Sequence, residues 1–212
     1  MKRAIAAPIV FCVLLVVSGA SRPGYDSVRD TISELTQGRG GVIQQANFWM
    51  YGLVLALVIM PDLRRRMPAG IARLIACGSL VAIALGCLGV ASFAPEPAPV
   101  RSMSWSGWLH LVSAIVLVFG MIPVACLGCA CAIWSDSRQR ALAVASTLVA
   151  VTCAALLVGT LSALGQGSAF VTARLGLIER VYVFLYLVWQ CVASWKLGAA
   201  DRPIRSAARD SG

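Results

Sequence analysis

Six apolar stretches, separated by short polar breaks, occupy most of this chain and leave it little choice of solvent. They run from Ile5 to Ala20, Val42 to Met60, Leu74 to Phe93, Trp108 to Trp134, Ala141 to Leu164 and Gly176 to Leu197. Each is long enough, at about 1.5 Å per residue, to approach the ~30 Å thickness of a hydrocarbon layer. Charged residues make up 13 % of the 212 and gather in the breaks. A soluble helical core needs polar faces at helical period, and these stretches have almost none. Backbone polar groups in lipid must then be satisfied within the chain, which predicts an all-α polytopic bundle of six transmembrane helices. Pro123, inside the longest stretch, removes one helical hydrogen bond and predicts a bend.

Basic residues set the expected orientation. Lys2, Arg3, Arg64, Arg65, Arg66, Arg73, Arg138, Arg140, Lys196, Arg202, Arg205 and Arg209 fall on one side; Arg22, Arg29, Arg39, Arg101, Arg174 and Arg180 fall on the other. Twelve against six puts both termini in the cytoplasm of a cell-membrane protein. The net charge of +9 is thus a topology signal. Scattered over four segments without stacking aromatics, it does not indicate nucleic acid. The first stretch carries an alternative: Met1-Lys2-Arg3, an apolar run and Ser18-Gly19-Ala20 also resemble a cleavable secretory signal. Residues 1–198 are expected to form the membrane domain, and 199–212 a disordered cytoplasmic tail.

The chemistry-bearing residues are few. All eight cysteines lie within the apolar stretches. Cys126 and Cys129 share a helix face while Cys131 does not, so packing is expected there rather than metal or redox chemistry. One histidine, His110, rules out paired-imidazole haem ligation and a histidine-rich zinc site. No metal and no cofactor is expected.

The unusual residues collect on the expected outer side. Between the first two stretches, Asp26 or Ser27 can cap a short amphipathic helix that Gly38 ends. It would carry Val28, Ile32 and Leu35 on one side and Asp30 and Glu34 on the other. Gln44, Asn47 and Tyr51 share a face at the outer end of the second stretch, and His110 lies near the outer end of the fourth. Glu179, Arg180, Tyr182 and Tyr186 begin the sixth. An ionisable residue inside a span is a functional candidate by default. Asp30, Glu34 and His110 are therefore the catalytic candidates; Arg29, Asn47, Tyr51, Glu179, Arg180 and Tyr182 are the ligand-binding ones. Each also has a structural reading: loop-fixing pairs for the acids, a loop carbonyl for His110. Trp49, Trp105, Trp108 and Trp189 are expected in interfacial belts.

Arg22-Pro23-Gly24-Tyr25, then Arg29-Asp30-Thr31-Ile32-Ser33-Glu34-Leu35 and Asn47, resemble the signature of the domain of unknown function 998 family, six-span prokaryotic membrane proteins. Phe93-Ala94-Pro95-Glu96-Pro97 resembles that family's stretch after the third span, with Glu96 standing for an aspartate and Ala94 inserted. His110, Gly176-Leu177 to Arg180 and Trp189 also fit the pattern. The resemblance implies six retained spans and an outer-loop helix, and no established activity. A looser likeness joins the chain to six-span eukaryotic proteins linked to lipid handling. Three functions stay open: a binder of a membrane lipid or other amphiphile, an integral-membrane enzyme using carboxylate acid–base chemistry, and a small-solute transporter. Gly86, Gly89 and the small residues of the fifth stretch can pack within one chain or between copies in a homo-oligomer.

Overall fold

A computed structural model of the protein describes residues 2–38, 40–96 and 102–200, with side chains for 5–38, 40–96 and 102–199. Six long helices account for most of it: α1 Lys2–Ser21, α2 Gly41–Arg66, α3 Ile71–Ser92, α4 Trp105–Ile133, α5 Arg140–Gly165 and α6 Leu175–Ala200. No strand occurs among the described residues. By length and composition α2 to α6 can each cross a membrane; α1 is the short one, with an apolar part of 17 residues, Ile5–Ser21. α6 reaches two residues into the expected tail, whose remainder lies outside the described residues.

Short connections make sequence neighbours into spatial ones. α1 packs on α2, α2 on α3, α3 on α4, α4 on α5 and α5 on α6, and α6 returns to α1 to close the ring. The apolar residues divide as a membrane solvent demands. Leu55, Ile59, Leu80, Ile83, Ile122 and Ile133 are buried inside the ring. Leu57, Leu85, Leu148, Val151 and Val188 face outward, where lipid tails would meet them.

Small residues bring the backbones of α3 and α4 together. A Cβ on Gly86 would lie 2.8 Å from the Ser113 carbonyl oxygen, and one on Gly128 2.9 Å from the Ala76 nitrogen. Gly86 and Gly89 thus pack within the chain. Cys126 and Cys129 are buried, Cys131 is exposed, and every described cysteine is a free thiol. Among the described residues no group of potential ligands could hold a metal.

The helix changes its winding where a bend is expected, near Pro123. Val112–Gly120, just before it, winds as π-helix. In α-helical register Pro123 would leave the Phe119 carbonyl without its amide. The Tyr182 hydroxyl of α6 donates to that oxygen at 2.5 Å, with the Tyr182 and Phe119 rings edge-on at 5.0 Å. Trp189 departs from the expected interfacial place. It is buried, stacks on Tyr186 and donates from Nε1 to Ser146 Oγ at 2.8 Å. The indole's polar edge has found a partner inside the bundle, so it does not seek the headgroup layer. Trp49, Trp105 and Trp108 are exposed.

Replacing Gly128 with leucine should cost about 1–3 kcal/mol by overpacking the α3–α4 contact. The same change at Gly78, which has open space before it, should cost almost nothing. Detergent-solubilised unfolding curves of the two variants check this; equal loss at both positions would contradict it.

Candidate functional site

The first loop, the start of α6 and the connection before α4 meet at one end of the bundle, and their polar groups interlock. The loop is not the amphipathic helix that its spacing predicts. It makes a turn opened by Asp26, whose Oδ1 accepts from the Val28 amide at 2.9 Å, and a single 3-10 turn, Ser33–Thr36. Tertiary partners take the groups an α-helix would use. The Val28 carbonyl would pair with the Ile32 amide four residues on; instead it accepts from the Leu177 amide at 2.9 Å. The Ile32 amide donates to Glu179 Oε2 at 2.7 Å. The Arg29 carbonyl accepts from the Gly176 amide at 3.1 Å.

Both sides gain from this exchange. Gly176 and Leu177 lie in the first turn of α6, whose amides have no helical acceptor, and the loop carbonyls cap them. Ile32 and Leu35 are buried, and Val28 stays exposed. A Cβ on Gly176 would collide with the Asp30 carbonyl, so this close approach requires glycine.

Glu179 and Arg180 form no ion pair with each other or with the loop's carboxylates among the described residues. They serve the loop backbone. Glu179 accepts from Ile32, as above. Arg180 donates through Nη1 to the Asp30 carbonyl at 3.0 Å and to the Gly176 carbonyl at 2.9 Å, and through Nη2 to the Tyr25 hydroxyl. Its guanidinium carbon lies 5.4 Å from the centre of the Tyr25 ring. Tyr25 in turn donates to the Thr31 carbonyl at 2.9 Å. Burial pushes the Tyr25 hydroxyl up from its ordinary value against the pull of Arg180, which keeps its proton in place for that bond. Arg22 donates to the Glu34 carbonyl.

The remaining candidates divide around this cluster. Asp30 turns its carboxylate outward: Oδ1 accepts from Arg29 Nε at 2.7 Å and Oδ2 from the Asp26 amide at 2.9 Å. The bond from Arg29, with smaller help from the Asp26 amide and Arg22, holds the Asp30 carboxyl below the usual aspartate range. Glu34 is half-buried, and its carboxylate has no hydrogen-bond partner among the described residues. His110 stands apart. Its Nδ1 lies 2.8 Å from the Phe93 carbonyl, which ties α4 to the end of α3.

Glu96 caps α4 from the preceding connection: its Oε1 accepts from the Ser104 amide at 2.7 Å. The bonds from Ser104 hold its carboxyl below the ordinary glutamate value. Gln37 joins the first loop to the connection before α4 by donating to the Pro95 carbonyl at 2.6 Å.

Beneath the loop lies a second group that the sequence reading caught only in part. Gln44, Asn47 and Tyr51 share a face, as their spacing predicts, and all three are buried. Asn47 Nδ2 donates to the Phe11 carbonyl of α1 at 3.0 Å and to Gln44 Oε1 at 3.3 Å. The Tyr51 hydroxyl donates to Gln190 Oε1 of α6. Tyr186 lies beside Tyr51. Gln190, Ser194 and Ser146 were not among the candidates. A Tyr186–Gln190–Ser194 stripe at four-residue spacing within an apolar stretch was the available signal.

Residues 5–196 match the family described as a protein of unknown function, DUF998, and the chain belongs to that family. Comparison with curated proteins and with solved structures finds no match.

Two measurements check this geometry. Glu179→Leu should speed exchange of the Ile32 amide by about tenfold, the worth of a lost hydrogen bond. Glu179→Gln, which keeps an acceptor oxygen, should speed it less; hydrogen exchange read by mass spectrometry tells them apart. The Asp30 carboxyl should titrate below the ~3.9 of a free aspartate and move up toward it in Arg29→Gln, as followed by NMR. Because its folded value is the lower one, the pair contributes above the unfolded pKa. That contribution is lost as pH falls through the folded value.

Proposed function

We propose that the protein is a non-catalytic binder of a membrane amphiphile, with the polar head held toward the outer end of the bundle under the first loop. One observation carries this: three of the ionisable groups at that end already have structural work. Arg180 is held by three oxygens, Glu179 by the Ile32 amide and Asp30 by Arg29. A general acid or base needs a proton position it can share with a substrate. Asp30, held ionised by its neighbour, is poorly suited to donate one. The exposed Trp49, Trp105 and Trp108 suit a protein seated at the boundary of head groups and acyl chains. The excess of Lys and Arg on the opposite side supports cytoplasmic termini in the cell membrane. A homo-oligomer remains compatible with these features.

A second reading, carboxylate chemistry on a lipid, draws on Glu34. Its carboxylate is without a hydrogen-bond partner among the described residues, and it lies close enough to Glu179 to act on it electrostatically.

Native mass spectrometry of the detergent-purified protein separates the two. For a binder, wild type, Asp30→Asn and Glu34→Gln retain the same lipid to the same extent. For an enzyme, Glu34→Gln accumulates a bound species of different mass from the one on wild type. Wild type free of any lipid would contradict the binding proposal.

A further inference from the structure

The junction of α1, α2 and α6 holds buried hydrogen-bonding groups without partners, and they are all uncharged. Gln44, Asn47 and Gln190 have 0 % of their surface exposed and Tyr186 has 2 %. Gln44 Nε2, Asn47 Oδ1 and Gln190 Nε2 make no hydrogen bond; the Tyr186 hydroxyl faces that of Tyr51. Their orientations are fixed by the bonds the other ends of these side chains make. Asn47 Nδ2 must face the Phe11 carbonyl, so Gln44 presents its oxygen to Asn47 and points its amide elsewhere. Asn47 lies about 9 Å and Gln190 about 22 Å along their helices from the outer ends. At those depths there is no bulk water to satisfy them, and buried unpaired polar groups are rare because they are costly.

We propose that this seam is the binding site for the head of a neutral, oxygen-bearing lipid, one with carbonyl or ester oxygens and a hydroxyl. This deepens the amphiphile-binding proposal and rests on it. The chemistry of the spare groups selects the head. Two amide nitrogens offer protons, and one amide oxygen accepts; that set complements two acceptor oxygens and one hydroxyl. No charge faces it. Of the cations on α6, Arg180 is committed to Tyr25, Asp30 and Gly176, and Lys196 is exposed beside the Trp195 ring. A phosphate would enter without a counter-charge, which a low-dielectric site penalises heavily.

The closed seam leaves no surface for a ligand to touch, so one helix must yield. α1 covers it from the lipid side, with Ile9, Val13 and Val16 exposed on its far face. Asn47 holds it to α2 by one hydrogen bond to a main-chain carbonyl, and Phe11 rests against the Phe48 and Tyr51 rings at 5.5 and 5.1 Å. Displacement of α1 opens the junction sideways to the bilayer, the route by which a lipid arrives.

The test compares dioleoylglycerol with dioleoylphosphatidylglycerol, which share acyl chains and differ in head charge. Each is added to the full-length protein in detergent, and bound lipid is read by native mass spectrometry. Wild type should retain the diacylglycerol in preference. Gln44→Leu and Gln190→Leu should each weaken its retention by about tenfold, one hydrogen bond's worth. Gln44→Leu removes an unpartnered amide and leaves Asn47 on Phe11, so its lipid-free melting temperature should hold or rise. A melting temperature that falls in Gln44→Leu, with diacylglycerol retention unchanged, would make the seam a packing feature and overturn the proposal. Retention of the phosphatidylglycerol alone would overturn the neutral head and leave amphiphile binding standing. Retention of neither lipid would overturn both.

Discussion

A chain folded in lipid cannot leave its main-chain amides and carbonyls to water, and this requirement shapes the end of the bundle where the first loop meets α6. The first turn of α6 has amides to satisfy, and the first loop has carbonyls and a buried amide. Each supplies what the other lacks: Gly176 and Leu177 donate to Arg29 and Val28, and Ile32 donates to Glu179. Arg180 closes the arrangement on the Asp30 carbonyl. Charged side chains in a span usually suggest an ion path or a reaction centre. Here Glu179 and Arg180 stand in for helical hydrogen bonds that the loop gave up when it docked.

The same requirement recurs deeper in the bundle. Pro123 deprives the Phe119 carbonyl of its α-helical donor, and Tyr182 reaches across from α6 to replace it. Trp189 brings a polar edge into the core, and Ser146 receives it. Against these satisfied groups, the spare amides of the α1–α2–α6 junction stand out. Asp62 and Arg73 also bury side-chain atoms without a partner, but those belong to charged groups; the neutral amides of the junction are the ones the proposed lipid head completes.

The architecture was legible in the sequence because hydrophobic length and charge placement are strong signals: the helices fall within a few residues of the apolar stretches. Gln44, Asn47 and Tyr51 were also rightly placed on one face, since period alone decides that. The loop misled for a physical reason. Its apolar spacing at 28, 32 and 35 does suit a helix, but three-dimensional partners for its backbone outbid the local bonds, and no local pattern encodes a partner nearly 150 residues away. Trp189 misled in a similar way, because an indole's place depends on whether a buried acceptor exists. Gln190 was overlooked because one amide among apolar neighbours looks incidental until Tyr51 is seen against it. Of the candidates expected on one side of the membrane, Arg180 reaches the backbone of Asp30, and His110 stays on Phe93.

Whether the first loop rests on the start of α6 can be asked by disulfide trapping. Val28 and Leu177 are joined through their backbones at 2.9 Å, and both side chains are exposed. With Val28→Cys and Leu177→Cys introduced together, mild oxidation in native membranes should yield a peptide linking positions 28 and 177, found by mass spectrometry after digestion and absent from either single variant. A fully oxidised sample in which position 28 is joined to other sites and never to 177 would contradict the docked loop.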